Sequence, residues 1–397
     1  MQLGYCTNVH AGADLETTRA NLEEHAVAVK QLFSPDQPMG IGLWLSSEAT
    51  QSLGDQELKT FKNWLDQEGL IPFTFNGFPF GDFHQPVVKH AVYLPTWSEQ
   101  DRLDYTTRLF QCMDTLLPEG MRGSISTLPL GWGNLAVEDS FLENCGVNLA
   151  RLAEQLESLE ERTGRLIQIC LEPEPGCAID TADDLVDFFE RFLLAGDTSS
   201  RERHLRYLGV CHDICHSAVM NESQSHAITC YQEHEIIIGK VQVSAAIQFV
   251  LPSKGSPSHE NLMSQLGEFA EDRYLHQTTV KSEGTDEAMR FYDDLPLAMH
   301  ACGLEDESTQ WRTHFHVPIY RKHLGLLEST QDEIREFLMA ISETKYPVNH
   351  FEVETYAWGV LPTDHQVDRL AEGIAQELDW FQNLHYSSGL GRKPNEK

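Results

Sequence analysis

Short apolar runs alternate with amphipathic stretches along most of the chain. Each run ends in polar residues or glycine. In the stretches that follow, apolar residues recur at i, i+3, i+4 and i+7, the period of a helix with one buried face. Strands that alternate with helices in this way predict a parallel sheet. The runs that predict strands are residues 3–9, 40–45, 71–78, 123–130, 165–172, 207–213, 239–246, 312–319 and 350–358.

This number of strand–helix units favours a closed (β/α)8 TIM barrel over an open sheet. Nine strands are one too many for that barrel, and the excess lies among the last three runs. Residues 251–308 break the rhythm, so we interpret them as an insertion over one end of the barrel, acting as a lid, an interface or both. The prediction is one domain over residues 1–384, followed by a disordered polar tail at 385–397.

The composition of the chain argues against some classes of binding partner. The 397 residues carry 29 Lys and Arg against 61 Asp and Glu, a formal net charge of −32 that argues against binding to nucleic acids or anionic membranes. No apolar run is long enough to span a membrane, and the first residues do not resemble a signal peptide. The nine cysteines are scattered, which is typical of reduced thiols. We expect a cytoplasmic protein with a small-molecule partner; a homo-oligomer is left open.

Metal-ligand residue types follow successive predicted strands. In a barrel of this kind the active site lies at the carboxyl ends of the strands. Carboxylates that converge there repel one another unless a cation neutralises them. Mixed oxygen and nitrogen ligands suit Mn, Co, Zn or Fe better than Ca or Mg, so the sequence predicts a divalent metal ion. Its candidate ligands are Glu172, Asp213, His216, Gln242, His314, His316 and Glu354.

Several of these assignments keep alternatives open. His212 and Asp213 point to opposite faces if the strand is regular, so we favour Asp213 as the ligand. One of His314 and His316 is expected to be an ordinary core histidine. In the insertion, Tyr274 either reaches over the barrel mouth or belongs to an ordinary helix face.

At these positions the chain resembles the xylose isomerase-like TIM barrels, which include sugar isomerases, ketose epimerases and endonuclease IV-type repair enzymes. Their common pattern is a Glu ending the fifth strand, Asp-x-x-His at the sixth, His or Asp at the seventh and Glu or Asp at the eighth. The resemblance maps this pattern onto Glu172, Asp213 with His216, and Glu354. The seventh position departs from it, because Gln242 stands where epimerases carry His.

Longer motifs are similar to a narrower group. They resemble the EboE family, the metabolite traffic proteins of bacterial Ebo gene clusters, which implies a role in making or moving a small metabolite but supplies no reaction. The motifs are GYCTNVHAG, FNGFPFG, LEPEPG, CHDICHSAV, KVQVSAA, HFHVPI and VETYAW.

The leading functional hypothesis is a metal-dependent isomerase or epimerase of a sugar-like or cyclitol-like polyol. Glu172 and Glu354 would exchange protons with substrate carbon, and Lys240 or Arg312 would polarise a substrate oxygen or bind a phosphate. One rival is a metal-dependent hydrolase of a small phosphoester, and another is a non-catalytic carrier of a metabolite. The residues predicted to contact substrate are His10, Asn76, Glu174, His212 and Arg312.

Overall fold

Parallel strands surrounded by helices make up most of the computed structural model, which describes residues 1–136, 138–282, 288–302, 307–344 and 347–390. The strands are β1 (Gln2–Tyr5), β2 (Met39–Trp44), β3 (Leu70–Asn76), β4 (Gly123–Thr127), β5 (Ile167–Leu171), β6 (Leu208–Asp213), β7 (Ile238–Val243), β8 (Ile247–Leu251), β9 (Thr278–Ser282), β10 (Arg290–Tyr292), β11 (Thr309–Thr313), β12 (His323–Leu324), β13 (Leu327–Ser329) and β14 (His350–Val353). The helices are α1 (Leu15–Asn21), α2 (Val27–Phe33), α3 (Ser47–Ser52), α4 (Asp55–Glu68), α5 (Gln100–Leu116), α6 (Asp139–Thr163), α7 (Ala182–Phe188), α8 (Thr198–Tyr207), α9 (Ile214–Val219), α10 (Gln224–Glu233), α11 (Pro257–Gly267), α12 (Leu295–Cys302), α13 (Gln331–Ser342) and α14 (Leu370–Ser387).

Eight of the strands form the barrel. They pair in parallel in the order β1-β14-β7-β6-β5-β4-β3-β2. A further parallel bridge between Cys6 and Gly42 joins the two ends of this order and nearly closes the sheet on itself. The predicted (β/α)8 TIM barrel is therefore confirmed.

Helix ends follow from local sequence. Gly69 and Gly164 end α4 and α6 in the left-handed conformation, with φ of 67° and 74°, which glycine adopts without steric cost. Thr181 begins α7 with a capping box, in which its side chain and that of Asp184 each accept a backbone N–H. These signals fix where the chain turns back toward the barrel between strands.

The insertion is a second sheet. Six strands pair antiparallel in the order β10-β9-β11-β8-β13-β12. This sheet spans residues 247–329 between β7 and α13, so the insertion is longer than the predicted 251–308. It also explains the surplus strand, because the run at 312–319 begins in β11 of this sheet and not in the barrel. Residues 283–287 and 303–306 of the predicted insertion lie outside the described residues.

The last helix crosses the predicted boundary at residue 384. α14 continues to Ser387, and the buried ring of His385 packs against Phe351 and Phe381. Of the predicted tail, residues 391–397 lie outside the described residues. Among the helices that are described, none combines the length and the apolar character needed to cross a membrane.

Candidate metal centre

Three carboxylates converge at the carboxyl ends of the barrel strands. Glu172 follows β5, Asp213 is the last residue of β6, and Glu354 follows β14. One oxygen from each lies within 4.8 Å of the others, and all three side chains are buried. Glu172 Oε2 and Asp213 Oδ2 find no hydrogen-bond partner within the described parts of the chain. Buried carboxylate oxygens without partners in the protein fit a position that binds a cation or an additional hydrogen-bond donor.

The Asp-x-x-His spacing has a direct structural cause. Asp213 ends β6 and also caps α9, since its Oδ1 accepts the backbone N–H of His216 at 2.9 Å. The first turn of α9 therefore carries His216 back over the strand end, where its Nε2 lies 3.8 Å from Asp213 Oδ2.

His316 reaches the same point from the insertion. The segment after β11 is held beside β7, because the N–H of Val317 donates to the carbonyl oxygen of Ala245 at 3.0 Å. His316 Nε2 then lies 3.8 Å from Asp213 Oδ2 and has no hydrogen-bond partner among the described residues. Asp213, His216 and His316 form a second group whose ligand atoms lie within 4.8 Å of one another.

Both histidines are held in the form that binds metals. His216 Nδ1 lies 2.9 Å from the carbonyl oxygen of Pro173, and His316 Nδ1 lies 2.8 Å from that of Glu354. A carbonyl oxygen only accepts, so Nδ1 carries a proton in each contact, and in the neutral ring the lone pair is then on Nε2, the atom that faces Asp213. Metal-binding histidines are commonly oriented by such a carbonyl.

Neighbouring polar side chains fix the carboxylates. Asn8 Nδ2 and Asn76 Nδ2 donate to Glu354 Oε1 at 2.9 and 2.8 Å. Ser244 Oγ donates to Asp213 Oδ1 at 2.7 Å. In both carboxylates one oxygen is held by the protein, which leaves the other available to a ligand.

The electrostatics of the cluster favour a cation. Burial and the nearby Glu354 and Asp213 raise the pKa of Glu172, and burial with Asp213 and Glu352 raises the pKa of Glu354 to about 8. Burial also opposes ionisation of Asp213, but the two histidines and two hydrogen bonds outweigh it and lower its pKa. A divalent ion would offset the repulsion that raises these values. The donor set of carboxylates and imidazoles thus fits a transition metal.

A neighbouring group shares one histidine with this cluster. Glu174, His216 and His314 also place ligand atoms within 4.8 Å of one another. Glu174 Oε1 already accepts from Tyr93 at 2.8 Å and from Gln277 Nε2 at 3.0 Å. His314 Nδ1 lies 2.7 Å from Gln277 Oε1. Gln277 therefore contacts both Glu174 and His314 at the edge of the cluster.

Gln242 lies on β7, next to Asp213 in the barrel interior. It is fully buried inside the barrel, level with Asp213 on one side and Glu352 on the other. Neither of its amide atoms has a hydrogen-bond partner within the described residues. Of Gln242, His314 and His316, His316 has the clearest ligand geometry, because its Nε2 has no partner among the described residues and lies 3.8 Å from Asp213 Oδ2.

The two predicted substrate cations are engaged elsewhere. Lys240 Nζ lies 2.6 Å from Glu352 Oε2 inside the barrel. Arg312 lies on β11, where it donates to the carbonyl oxygen of Ala218 at 2.7 Å and pairs with Glu333 at 3.1 Å. Neither lines the cavity at the barrel mouth. The structure therefore contradicts the prediction that they contact a substrate there.

Two predicted contact residues also lie away from the mouth. His10 Nε2 lies 3.0 Å from the Tyr5 hydroxyl, and the side chain borders a separate small pocket. His212 points outward, stacks on Phe337 and places Nε2 2.8 Å from Gln224 Oε1. The structure therefore contradicts their predicted contact with a substrate at the mouth, since neither lines the cavity there.

A cavity of about 530 Å³, counting the space at its opening, lies directly over the cluster. Asn76 and Glu174 line it as predicted positions, and Tyr274 reaches it from the insertion, outside any helix. Sequence reasoning missed Phe83 and Tyr93, because a lone aromatic residue in a long loop gives no signal of what it faces.

Solved structures share this architecture over nearly the whole chain. A D-tagatose 3-epimerase-like protein is 11% identical, with 98% of this chain and 99% of that chain covered and a TM-score of 0.50. A xylose isomerase-like TIM barrel protein from Mycobacterium smegmatis in complex with magnesium is 10% identical, with 98% and 97% covered and a TM-score of 0.52. The fold is that of a xylose isomerase-like TIM barrel. No family model matches the chain and no curated protein matches it, so the resemblance to EboE is not confirmed.

Proposed function

We propose that this protein is a metal-dependent isomerase or epimerase of a small sugar-like or cyclitol-like polyol. One observation carries the proposal: Glu172 Oε2, Asp213 Oδ2 and His316 Nε2 are buried at the barrel mouth, and none has a partner within the described residues. Glu172, Asp213, His216, His316 and Glu354 would hold the ion. The likeness to an epimerase-like protein and to a magnesium-bound barrel supports this choice at the level of fold.

The side chains present suit proton transfer beside a metal. A bound divalent ion supplies Lewis-acid stabilisation of negative charge that develops on substrate oxygens. Glu172 and Glu354 line the cavity and come from different barrel strands, after β5 and after β14. A carboxylate beside a substrate carbon can both accept and return a proton. Asn8 and Asn76 orient Glu354 through its other oxygen.

A metal-dependent hydrolase is the second candidate. The observation in its favour is the adjacent group of Glu174, His216 and His314, which could bind a second ion beside the first. Its weakness is that Glu174 and His314 already have hydrogen-bond partners. The number of metal ions per chain separates the two candidates.

Metal stoichiometry tests the proposal first. Wild type, Asp213→Asn and the control Asp332→Asn would be loaded with Mn, Co, Zn or Fe in turn, desalted and analysed by elemental mass spectrometry. Asp332 is an exposed residue on α13, so its variant controls for the loss of one carboxylate. We expect one ion per chain in wild type and Asp332→Asn, and none in Asp213→Asn. Two ions would favour the hydrolase, and no retained ion in wild type would contradict both candidates.

Hydrogen exchange then tests the reaction. The metal-loaded protein in D₂O would be incubated with a panel of ketoses and cyclitol ketones, and deuterium at carbon would be followed by NMR. We expect exchange with at least one compound and its loss in Glu354→Gln. A protein that retains its metal but exchanges no carbon-bound hydrogen with any of them would favour a carrier.

A further inference from the structure

The cavity above the candidate metal centre has two chemically different sides. The inner side carries the carboxylates and imidazoles of the cluster. Another part of the lining is apolar and mainly aromatic, and its residues come from loops after β3, from the insertion and from the segment after β14. The main members of this aromatic wall are Phe78, Phe83, Val92, Tyr274, Leu275 and Tyr356.

Three rings of the wall pack against one another. The centroid of Phe83 lies 4.9 Å from that of Tyr274 and 5.4 Å from that of Tyr356, and the two tyrosines are 4.9 Å apart. Each ring comes from a separate part of the chain, and each is at least nine-tenths buried. Rings that support one another in this way form a preformed surface for another apolar group.

The aromatic wall begins beside the candidate ligands. The ring centroids of Tyr356 and His316 are 4.7 Å apart, and the Tyr356 hydroxyl lies 3.4 Å from His314 Nε2. A molecule whose oxygens reached the cluster would therefore place its next atoms against this wall.

The cavity offers no free positive side chain among the described residues that line it. Lys89 is the lining cation in this part of the chain, and its Nζ pairs with the carboxylate of Asp294. Arg273 stacks over the Tyr274 ring at 5.9 Å but does not line the cavity. Glu172 and Glu174 add acidic groups on the inner side. Apart from the proposed metal ion, a phosphate group would find no free Lys or Arg side chain among the described lining residues, and it would meet carboxylates instead.

We infer that the substrate is an uncharged polyol-like compound that carries an apolar group, for which a phenyl ring is the test case. The polar part would bind at the cluster, and the apolar part would pack on the aromatic wall. A bare sugar would offer the wall less apolar surface than such a group and would lose hydration of any hydroxyl placed against it. The inference rests on the proposed function, since the polar part needs a metal ion.

Three hydroxamates separate the inference from the proposed function. Hydroxamates bind divalent metals through two adjacent oxygens, and they differ here only in what they carry. Acetohydroxamate carries a methyl group, benzohydroxamate a phenyl ring, and phosphoglycolohydroxamate a phosphate. Their dissociation constants would be measured by calorimetry on the metal-loaded and metal-free protein.

We expect metal-dependent binding in which benzohydroxamate binds at least about tenfold tighter than acetohydroxamate, while phosphoglycolohydroxamate binds weakest. Phe83→Ala and Tyr274→Ala should each remove most of the phenyl advantage and leave acetohydroxamate binding unchanged. Phe192→Ala, a ring on the outside of the barrel, is the matched control and should change neither. If one of the two wall variants fails to fold, the other still tests the inference.

Each contrary result has a distinct meaning. If no hydroxamate binds in a metal-dependent way, the proposed function fails and the inference fails with it. Equal affinities for the phenyl and methyl compounds would overturn the inference while the proposed function stands. Tightest binding of phosphoglycolohydroxamate would also overturn it, because the cavity would then be a phosphate site.

Discussion

Lys240 Nζ lies 2.6 Å from Glu352 Oε2, and both side chains are completely buried inside the barrel. Lys240 also donates to the carbonyl oxygen of Phe75 at 3.2 Å and to Ser126 Oγ at 3.1 Å. Burial alone would lower the pKa of Lys240, but Glu352 and the other acidic groups around it together outweigh burial and raise the value, so the amine stays charged. The pair forms a layer of the barrel interior. Glu352 lies on β14, two residues before Glu354, which follows the strand.

Removal of the lysine should therefore destabilise the barrel strongly. We expect Lys240→Met to lower the free energy of unfolding by about 3–5 kcal/mol, because it leaves Glu352 buried without its cation. The double variant with Glu352→Leu should recover part of that loss. Urea unfolding measures both, with Lys62→Met as the control, since the exposed Lys62–Asp66 pair should be worth less than about 1 kcal/mol. Equal losses in Lys240→Met and Lys62→Met would contradict the role of the buried pair.

Gly42 is a second position in the barrel interior where the packing leaves no space for a larger side chain. A Cβ atom there would lie 1.2 Å from Glu352 Oε1. Gly42→Ala should therefore displace Glu352 from Lys240 and cost about 2 kcal/mol or more in urea unfolding. Gly359→Ala is the control, because no atom of the described structure lies within 4 Å of the added methyl. A Gly42→Ala protein as stable as Gly359→Ala would show that the glutamate can move freely.

The two insertion histidines should differ in their effect on metal binding. His316 has an unpartnered Nε2 facing Asp213, whereas His314 contacts Gln277 and Tyr356. We expect His316→Gln to weaken metal binding about a hundredfold or more, and His314→Gln to weaken it less than about tenfold. Competition with a chromogenic chelator gives both constants. The reverse order would identify His314 as the ligand.

Glu377 should make stability depend on pH. This buried carboxylate on α14 accepts from Ile319 N–H, Thr355 Oγ1 and Trp358 Nε1, yet burial raises its pKa from 4.5 to about 7. Between those values the folded state holds a proton that the unfolded state has lost. Stability therefore falls as pH rises from about 4.5 to about 7, by about 3 kcal/mol in total.

Glu377→Gln should abolish that part of the pH dependence. Urea unfolding at pH 5 and pH 8 would show a smaller difference in the variant than in wild type. The control is Glu372→Gln, an exposed residue on the same helix, which should keep the wild-type difference. An unchanged difference in Glu377→Gln would mean that another group titrates.

The sequence was sufficient for the barrel and for the part of the site that lies on regular elements. Glu172, Asp213 and Glu354 follow from strand ends in a parallel barrel, and His216 follows from the first turn of the helix after β6. These positions depend on local spacing alone, which is why they were accessible without coordinates.

Other residues depend on contacts that local spacing does not encode. Lys240 is predicted to contact a substrate, but its side chain pairs with Glu352 inside the barrel, a contact between β7 and β14 that local spacing does not reveal. Arg312 was assigned to a barrel strand, and the antiparallel pairing of β11 with β8 and β9 moves it to another sheet. Gln277 and Tyr93 meet only because the insertion folds over the mouth, a long-range contact without a motif.

His316 belongs to the insertion, whereas Asp213 and Glu354 belong to the barrel. An ion held by all three would act as a removable cross-link between the two sheets, in addition to any part in chemistry. The stability of the antiparallel sheet would then be thermodynamically linked to metal occupancy, with the metal favouring its docked arrangement. The insertion would be a structural component of the site, so shortening it would dismantle the centre that it covers.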